Sequence, residues 1–401
     1  MVEQLFDEAF LTDPYRTYAY LRETGRIHWT EIFGGAWLVP HFEDVSQALR
    51  HPGISADRSA VPVSQLPEEV RGDFAKWDRL FGLWLLFKDP PRHTRLRRLV
   101  NRSFTPRVLE SWRPRIEQIC AELIAAMEDK GECDFMKEFA YELPASVIAE
   151  MLGVRPGDRE QFVDWSASVG IFFGTPQPPI ELAQAAQDGI VGMADYFADL
   201  VPERRRNPGK DILSILLRAE EAGDVLTEEE VLSQMTLFLF AGLDTTKNML
   251  GSGMLGMLKQ RGEVDDVTGE RHTMHNAVRE ILRFDSPIQF LHRTAAEDIE
   301  LCGQEVGKGQ TVVLLVGCAN RDEERYSRPD VLDLTRDEGD NLAFGFGPHF
   351  CLGAPLTYLE GEIAYPMLFE RLPGIALASD TEDWDPINPG FRNLRTLPVT
   401  C

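Results

Sequence analysis

The chain has 401 residues, a formal charge of −24, 43% hydrophobic residues and 26% charged residues. That length can bury a large core, and the composition is that of a folded globular protein rather than a disordered one. The acidic balance disfavours general nucleic-acid binding, because phosphates repel such a surface.

The N-terminal stretch MVEQLFDEAFLTDPYRTY carries acids and no apolar core region, so it does not read as a signal peptide. A strand is predicted at 36–40 (AWLVP). Residues 54–88 have no sustained period and contain two prolines, which predicts a long irregular connection with some helix in it. Apolar residues then recur at three and four over 107–128, 134–153, 181–202, 211–222 and 227–258, which predicts helices. The proline-rich TPQPP at 175–179 separates two of them. The most apolar stretch, Met235 to Leu258, contains Asp244, Lys247 and Asn248, so it reads as a buried core helix rather than a membrane span. Short strands are predicted at 298–302 and 311–316, with a turn at Gly307-Lys308-Gly309. The fold class expected is mainly α with a minor β portion, near the N-terminus and at about 290–320. No linker cuts the chain, so one domain over 1–401 is expected, soluble and cytoplasmic.

Four constellations carry chemistry. The first is FGFGPHFCLG at 344–353. None of the six cysteines lies in CxxC or CxxCH, which disfavours a zinc ribbon, a dithiol redox pair and covalent c-type haem. After Cys351, Leu352, Leu356, Leu359 and Ile363 fall at helical spacing, and Pro355 fits only a first turn. Cys351 therefore sits at or just before a helix N-terminus, where free N–H groups and the dipole favour a thiolate. By itself this leaves a metal ligand, a nucleophile or a buried structural thiol.

The second is AGLDTT at 241–246, inside the apolar helix. An acid and an alcohol in an apolar site suit proton delivery through water. The competing reading is a helix break with Asp244 as N-cap. The third is HTRLRR at 93–98, where His93 and Arg97 share a helix face; residues 92–107 hold six arginines and no acid, so anionic groups should gather there. Arg204-Arg205-Arg206 is a second basic spot. The fourth is Glu280-x-x-Arg283, an i,i+3 pair that by itself could be a surface ion pair; Val278, Ile281 and Leu282 suggest a largely buried helix, which makes the pair structural.

Together these motifs resemble the cytochrome P-450 family of haem-thiolate monooxygenases, of the bacterial type, with further family-like pieces at DPPRHTRLR, FTPR, HRTA and ANRD. The resemblance implies the cytochrome P-450 fold, with a long central helix over haem. It implies that Cys351 is the axial thiolate ligand of haem b and that His93, Arg97, Arg293 and His349 bind the propionates. Glu280 and Arg283 would lock the core, while Asp244 and Thr245 would hold water and relay protons to dioxygen. It further implies a ferredoxin and ferredoxin reductase as electron donors, no nucleic acid and no membrane. The substrate would be a hydrophobic small molecule, hydroxylated or epoxidised, held by the 57–87 and 166–190 segments, Leu237 to Ala241, Ile288 to Phe290 and the loop near Phe391. Trp84, Phe172 and Phe173 would supply aromatic contacts, and Gln289 and Arg392 polar ones. Oxidative coupling, peroxide-driven oxidation, nitration and a non-enzymatic haem sensor or carrier are the alternatives. Two departures stand out. Thr357-Tyr358 replaces the family's frequent Ala-Arg, and Pro366 should kink the helix after Cys351 at ~3 kcal/mol.

Overall fold

The strand at 36–40 and the one at 311–316 find each other across the chain and organise a β region, while the 3.6-residue patterns become helices. The structure, a computed structural model, describes residues 7–59, 63, 66–175, 178–221, 223–268, 271–379 and 381–401. The chain divides into two compact units, each discontinuous in sequence. One comprises Met1–Ile54, Ser111–Pro144 and Thr245–Cys401; the other comprises Ser55–Glu110 and Ala145–Asp244. The elements that carry the site are helices α1 (Arg92–Val100), α2 (Arg159–Gly174), α3 (Ile180–Arg206), α4 (Glu228–Lys259), α5 (Arg271–Phe284) and α6 (Ala354–Arg371). The main sheet uses β1 (His28–Thr30), β2 (Ala36–Val39), β3 (Ile54–Ser55), β4 (Leu291–Ala295) and β5 (Thr311–Leu314), in the order β1-β2-β5-β4-β3.

In the first unit, β5 runs parallel to β2, with Thr311 opposite Ala36, and antiparallel to β4, with Val312 opposite Arg293. Side chains alternate across these strands. Val39, Val312 and Leu314 enter one apolar cluster, and Ala36, Leu38 and Val313 enter another. The central strands are thus buried on both faces, which explains why TVVLLV reads as a continuous apolar run. The predicted strand at 298–302 is Ile299–Leu301, paired with Gln304–Val306. Helix α6 continues through Pro366 to Arg371. Tyr365 and Leu368 beside it are fully buried, and the Tyr365 hydroxyl donates to the Met249 carbonyl at 2.9 Å. This packing offsets the hydrogen bond that proline cannot make.

The second unit holds α1, α2, α3 and the Glu228–Asp244 part of α4. Its interior is aromatic. Trp84 is fully buried, and Phe81 and Phe173 stack at 5.2 Å between ring centres. The α2–α3 pair is close-packed because α3 presents glycines to Trp165: a Cβ at Gly189 would lie 2.8 Å from the Trp165 carbonyl oxygen, and one at Gly192 would lie 2.6 Å from the indole.

Several predicted helices are shorter than their apolar periodicity. The 107–128 pattern breaks at Ser111-Trp112 into Pro106–Glu110 and Arg113–Lys130. The 134–153 pattern opens as a wide turn at Met136–Ala140 before Glu142–Leu152. The 211–222 helix stops at Leu217, and Glu220–Glu221 pairs with Asp224–Val225. Of the irregular 54–88 stretch, Ala75–Phe81 is helical; positions 60–62 and 64–65, like 176–177 of TPQPP, lie outside the described residues. Among the described residues no helix is long and apolar enough to cross a membrane.

Candidate active site

Cys351 ends a tight loop. Its amide donates to the Phe344 carbonyl at 2.9 Å, closing the segment into a hairpin-like turn, and inside it the Phe350 amide donates to the Gly347 carbonyl at 3.1 Å. Gly345 (φ 68°) and Gly347 (φ 74°) take left-handed conformations that a side chain would strain. At Gly347 a Cβ would also lie 3.1 Å from the Leu49 carbonyl oxygen. Helix α6 begins at Ala354 with Pro355 in its first turn, as the sequence predicted, so Cys351 precedes a helix N-terminus. A Cβ at Gly353 would sit 3.9 Å from the Cys351 sulfur, so the glycine leaves that flank of the thiol uncovered. Tyr358, in the position where a cation was missed, stacks on His275 at 4.2 Å and packs 5.5 Å from the Phe344 ring.

The loop is clamped by a polar network under it. Arg283 donates to both oxygens of Glu280, at 2.6 and 2.8 Å, and each side chain is 2% exposed. Arg336 adds a 3.0 Å bond to Glu280, and the Asp333 amide another at 3.0 Å. Arg283 also donates to the Asn320 carbonyl at 2.9 Å. The Asn320 side chain accepts from the Leu342 amide at 2.7 Å, two residues before Phe344. The network therefore runs from α5 to the start of the cysteine loop. The sequence showed Glu280 and Arg283, and Asn320 only as part of the family-like piece ANRD with no role attached; Arg336, 56 residues beyond Glu280, carried no signal.

Helix α4 runs unbroken through AGLDTT, so Asp244 does not cap a helix. Ala241, Asp244 and Thr245 fall on one face at three- and four-residue spacing. On that face Ala241 is exposed and the other two half-buried, although Leu239 and Leu243 are buried. The next alcohol contacts the helix after the cysteine: Thr246 Oγ1 lies 3.4 Å from Thr357 Oγ1. One turn on, Asn248 is 2% exposed, and neither of its amide atoms has a hydrogen-bond partner among the described residues. Gly170 of α2 abuts Asp244 Oδ2.

The other expected site residues are distributed between the units. Cys351, His349, Arg293 and Thr245 belong to the first; His93, Arg97 and Asp244 belong to the second. His349 ends a single turn at Gly347–His349. Arg293 lies on β4, 8% exposed. His93 on α1 is 2% exposed. Burial, helped by the Arg97 charge and opposed by Asp89, lowers its pKa to about 4, so it is a neutral hydrogen-bonding imidazole near pH 7.

The basic clusters are less free than their sequence suggests. Arg95 binds Asp224 at 2.9 Å and Glu230 at 2.5 Å, and Arg98 lies 3.7 Å from Asp224. Arg204 pairs with Glu203 and Asp211, and Arg205 with Glu228. Gln289 and Arg392 do not serve as the expected polar substrate contacts. Both are buried. Gln289 accepts from Tyr18 at 3.1 Å and donates to the Ser286 carbonyl at 2.7 Å, while Arg392 is held by Asp285 and the Thr12 carbonyl. Trp84 is likewise an internal residue, its indole N–H donating to Thr236 at 2.9 Å.

Within the first unit, a thiol at a helix start, a glycine beside it, and Arg293 and His349 as donors for carboxylates are residue types that suit a flat, anionic, iron-bearing macrocycle. Comparison with known proteins points the same way. Residues 72–373 match the Cytochrome P450 family. The chain is similar to the polyketide biosynthesis cytochrome P450 PksS of Bacillus subtilis, with 36% identity over 98% of this chain and 96% of that protein. It is similar to the 6-deoxyerythronolide B hydroxylase of Saccharopolyspora erythraea, with 37% identity over 95% and 94% of the two chains. Its fold superposes on P450BioI, solved in complex with a hexadec-9Z-enoic acid-ligated acyl carrier protein, with a TM-score of 0.90, 33% identity and coverage of 98% and 99%. The chain therefore belongs to the cytochrome P450 family and is a monooxygenase, an oxidoreductase that holds haem through a cysteine thiolate and uses dioxygen and redox partners.

Proposed function

We propose that this enzyme inserts one atom of dioxygen into a hydrophobic small molecule of secondary metabolism, by hydroxylation or epoxidation. The observation that carries the reading is the Asp244-Thr245 pair, half-buried next to Ala241 on a helix whose neighbouring Leu239 and Leu243 are buried. Similarity to a polyketide-biosynthesis cytochrome P450 and to the 6-deoxyerythronolide B hydroxylase supports the substrate class.

In this reading Cys351 ligates the iron of haem b, and Arg293, His349, His93 and Arg97 bind its propionates, His93 as a neutral donor. Haem, when bound, supplies the activation of dioxygen. For hydroxylation the balance is one substrate C–H, one dioxygen, two electrons and two protons, giving an alcohol and water. The chain must move the two protons. The Thr245 hydroxyl holds a water at the apolar face, and the Asp244 carboxyl passes protons to it from solvent. The aromatic interior around Phe81 and Phe173 excludes bulk water and offers apolar contact to substrate. The electrons come from a ferredoxin and its reductase in the cytoplasm. The exposed Arg98 and Arg102 offer an acidic ferredoxin a docking face.

The test is turnover of the haem-loaded protein with a plant-type ferredoxin, its reductase and labelled dioxygen, against a panel of macrolactones, fatty acids and steroids. One labelled oxygen atom in a product is expected; products lacking the label throughout would overturn the insertion reading. Cys351→Ala is expected to abolish the thiolate-type spectrum of the reduced, carbon-monoxide-treated protein.

A further inference from the structure

We propose that Gly170 is a positioning residue: its missing side chain sets where the Asp244 carboxylate lies, and through it the delivery of protons. This rests on the proton-relay reading of Asp244 given above.

Gly170 is buried in the body of α2. Glycine is a poor choice inside a helix, because alanine loses less backbone entropy there. The surroundings give one reason for it. A Cβ at this position would lie 2.9 Å from Asp244 Oδ2, closer than such atoms approach. Among the described residues, no other atom outside the backbone of its own helix would come within 4 Å of it. The glycine thus makes room for one carboxylate oxygen and for nothing else.

The contrast with the glycines of α3 sharpens this. Gly189 is crowded by the Ser168 hydroxyl and by the Trp165 backbone, which cannot swing aside, and Gly192 by the bulky Trp165 indole. These two are packing glycines, and they hold α2 against α3 in fixed register. Gly170 is delivered by that rigid pair to a partner that can move, the tip of an aspartate. A methyl group at 170 is accommodated most cheaply by rotating the Asp244 side chain, with the backbone left in place. The predicted consequence is unusual for a buried glycine. Substitution spares the fold and displaces the acid. An acid that transfers a proton must stay within hydrogen-bond reach of its partner, and a shift of about 1 Å is enough to cost a large factor in rate.

The test uses haem-loaded Gly170→Ala, Asp244→Asn and the double variant, with Gly189→Ala as a packing control. Crystal structures and thermal unfolding give readouts independent of activity. Gly170→Ala is expected to unfold at the same or a higher temperature than the wild type, with Asp244 Oδ2 displaced. Gly189→Ala is expected to unfold at a lower temperature, because its methyl meets backbone. NADPH-driven dioxygen reduction, with a plant-type ferredoxin and its reductase and no organic substrate, is then followed in H2O and D2O. Gly170→Ala is expected to slow water formation roughly tenfold and to alter the solvent isotope effect, without changing the ferredoxin KM. In the Asp244→Asn background the same substitution is expected to do nothing further. Additive losses in the double variant, an unmoved Oδ2, or a silent Gly170→Ala would each overturn the proposal while leaving the relay reading in place. A silent Asp244→Asn would overturn both.

Discussion

Glu280 and Asp244 are both acids set on helices beside buried apolar residues, and they are treated in opposite ways. Glu280 is 2% exposed and accepts from Arg283, Arg336 and the Asp333 amide. Oε1 accepts three bonds and Oε2 one, all from groups fixed in the fold, so the carboxylate is held in place, and Arg283 carries that order through Asn320 to the cysteine loop. Asp244 is half-buried, beside a residue with no side chain and one turn from an amide that has no hydrogen-bond partner among the described residues. A buried charge with all its bonds made is a fastener. An acid that must exchange protons needs room and water.

The largest expected effect breaks the fastener. Glu280→Gln leaves Arg283 and Arg336 buried without their counter-charge, a loss of about 3–5 kcal/mol. Little haem-loaded protein is expected, with early unfolding by circular dichroism; a wild-type melting curve would erase the contrast. Asp244→Asn inverts the outcome. It is expected to fold within about 0.5 kcal/mol of the wild type, yet to lose roughly a hundredfold in turnover at unchanged substrate affinity, measured by steady-state kinetics on the first substrate found.

Glu360 on α6 lies between the two cases. It is 2% exposed, and burial raises its pKa from 4.5 to about 8. The folded protein therefore keeps a proton that the unfolded chain releases. Stability from this group is complete below pH 4.5 and is lost as pH rises through about 8. Glu360→Gln is expected to be more stable than the wild type by about 4 kcal/mol at pH 8 and nearly equal to it at pH 4.5, read from denaturant midpoints. The smallest effect is at Asn248. Leucine there removes two buried groups that lack protein partners, and is expected to add about 1 kcal/mol, seen as a raised melting temperature. A marked loss instead would mean that internal water satisfies the amide, which would extend the hydrated region beyond Thr245.

Much of this was legible in the chain itself. The apolar period placed the central helix at 227–258, and it runs Glu228–Lys259. Pro355 announced the helix after Cys351, and Glu280-x-x-Arg283 announced a structural pair. Where the reading went astray, the cause was distance along the chain. The arginines at 204–206 looked like a basic spot, but the fold gives Arg204 and Arg205 acidic partners. Gln289 and Arg392 looked available and are spent on the core.

The sequence by itself determined the helices, the thiol at a helix start, the acid–alcohol pair and, through their order, the family. These depend on periodicity, caps and turns, which act within a few residues. Only the tertiary structure decided that Glu280 would also hold Arg336, that Asn320 would tie that network to the cysteine loop, and that Gly170 would stand against Asp244. Those pairings bring together residues tens of positions apart, and no local propensity encodes them.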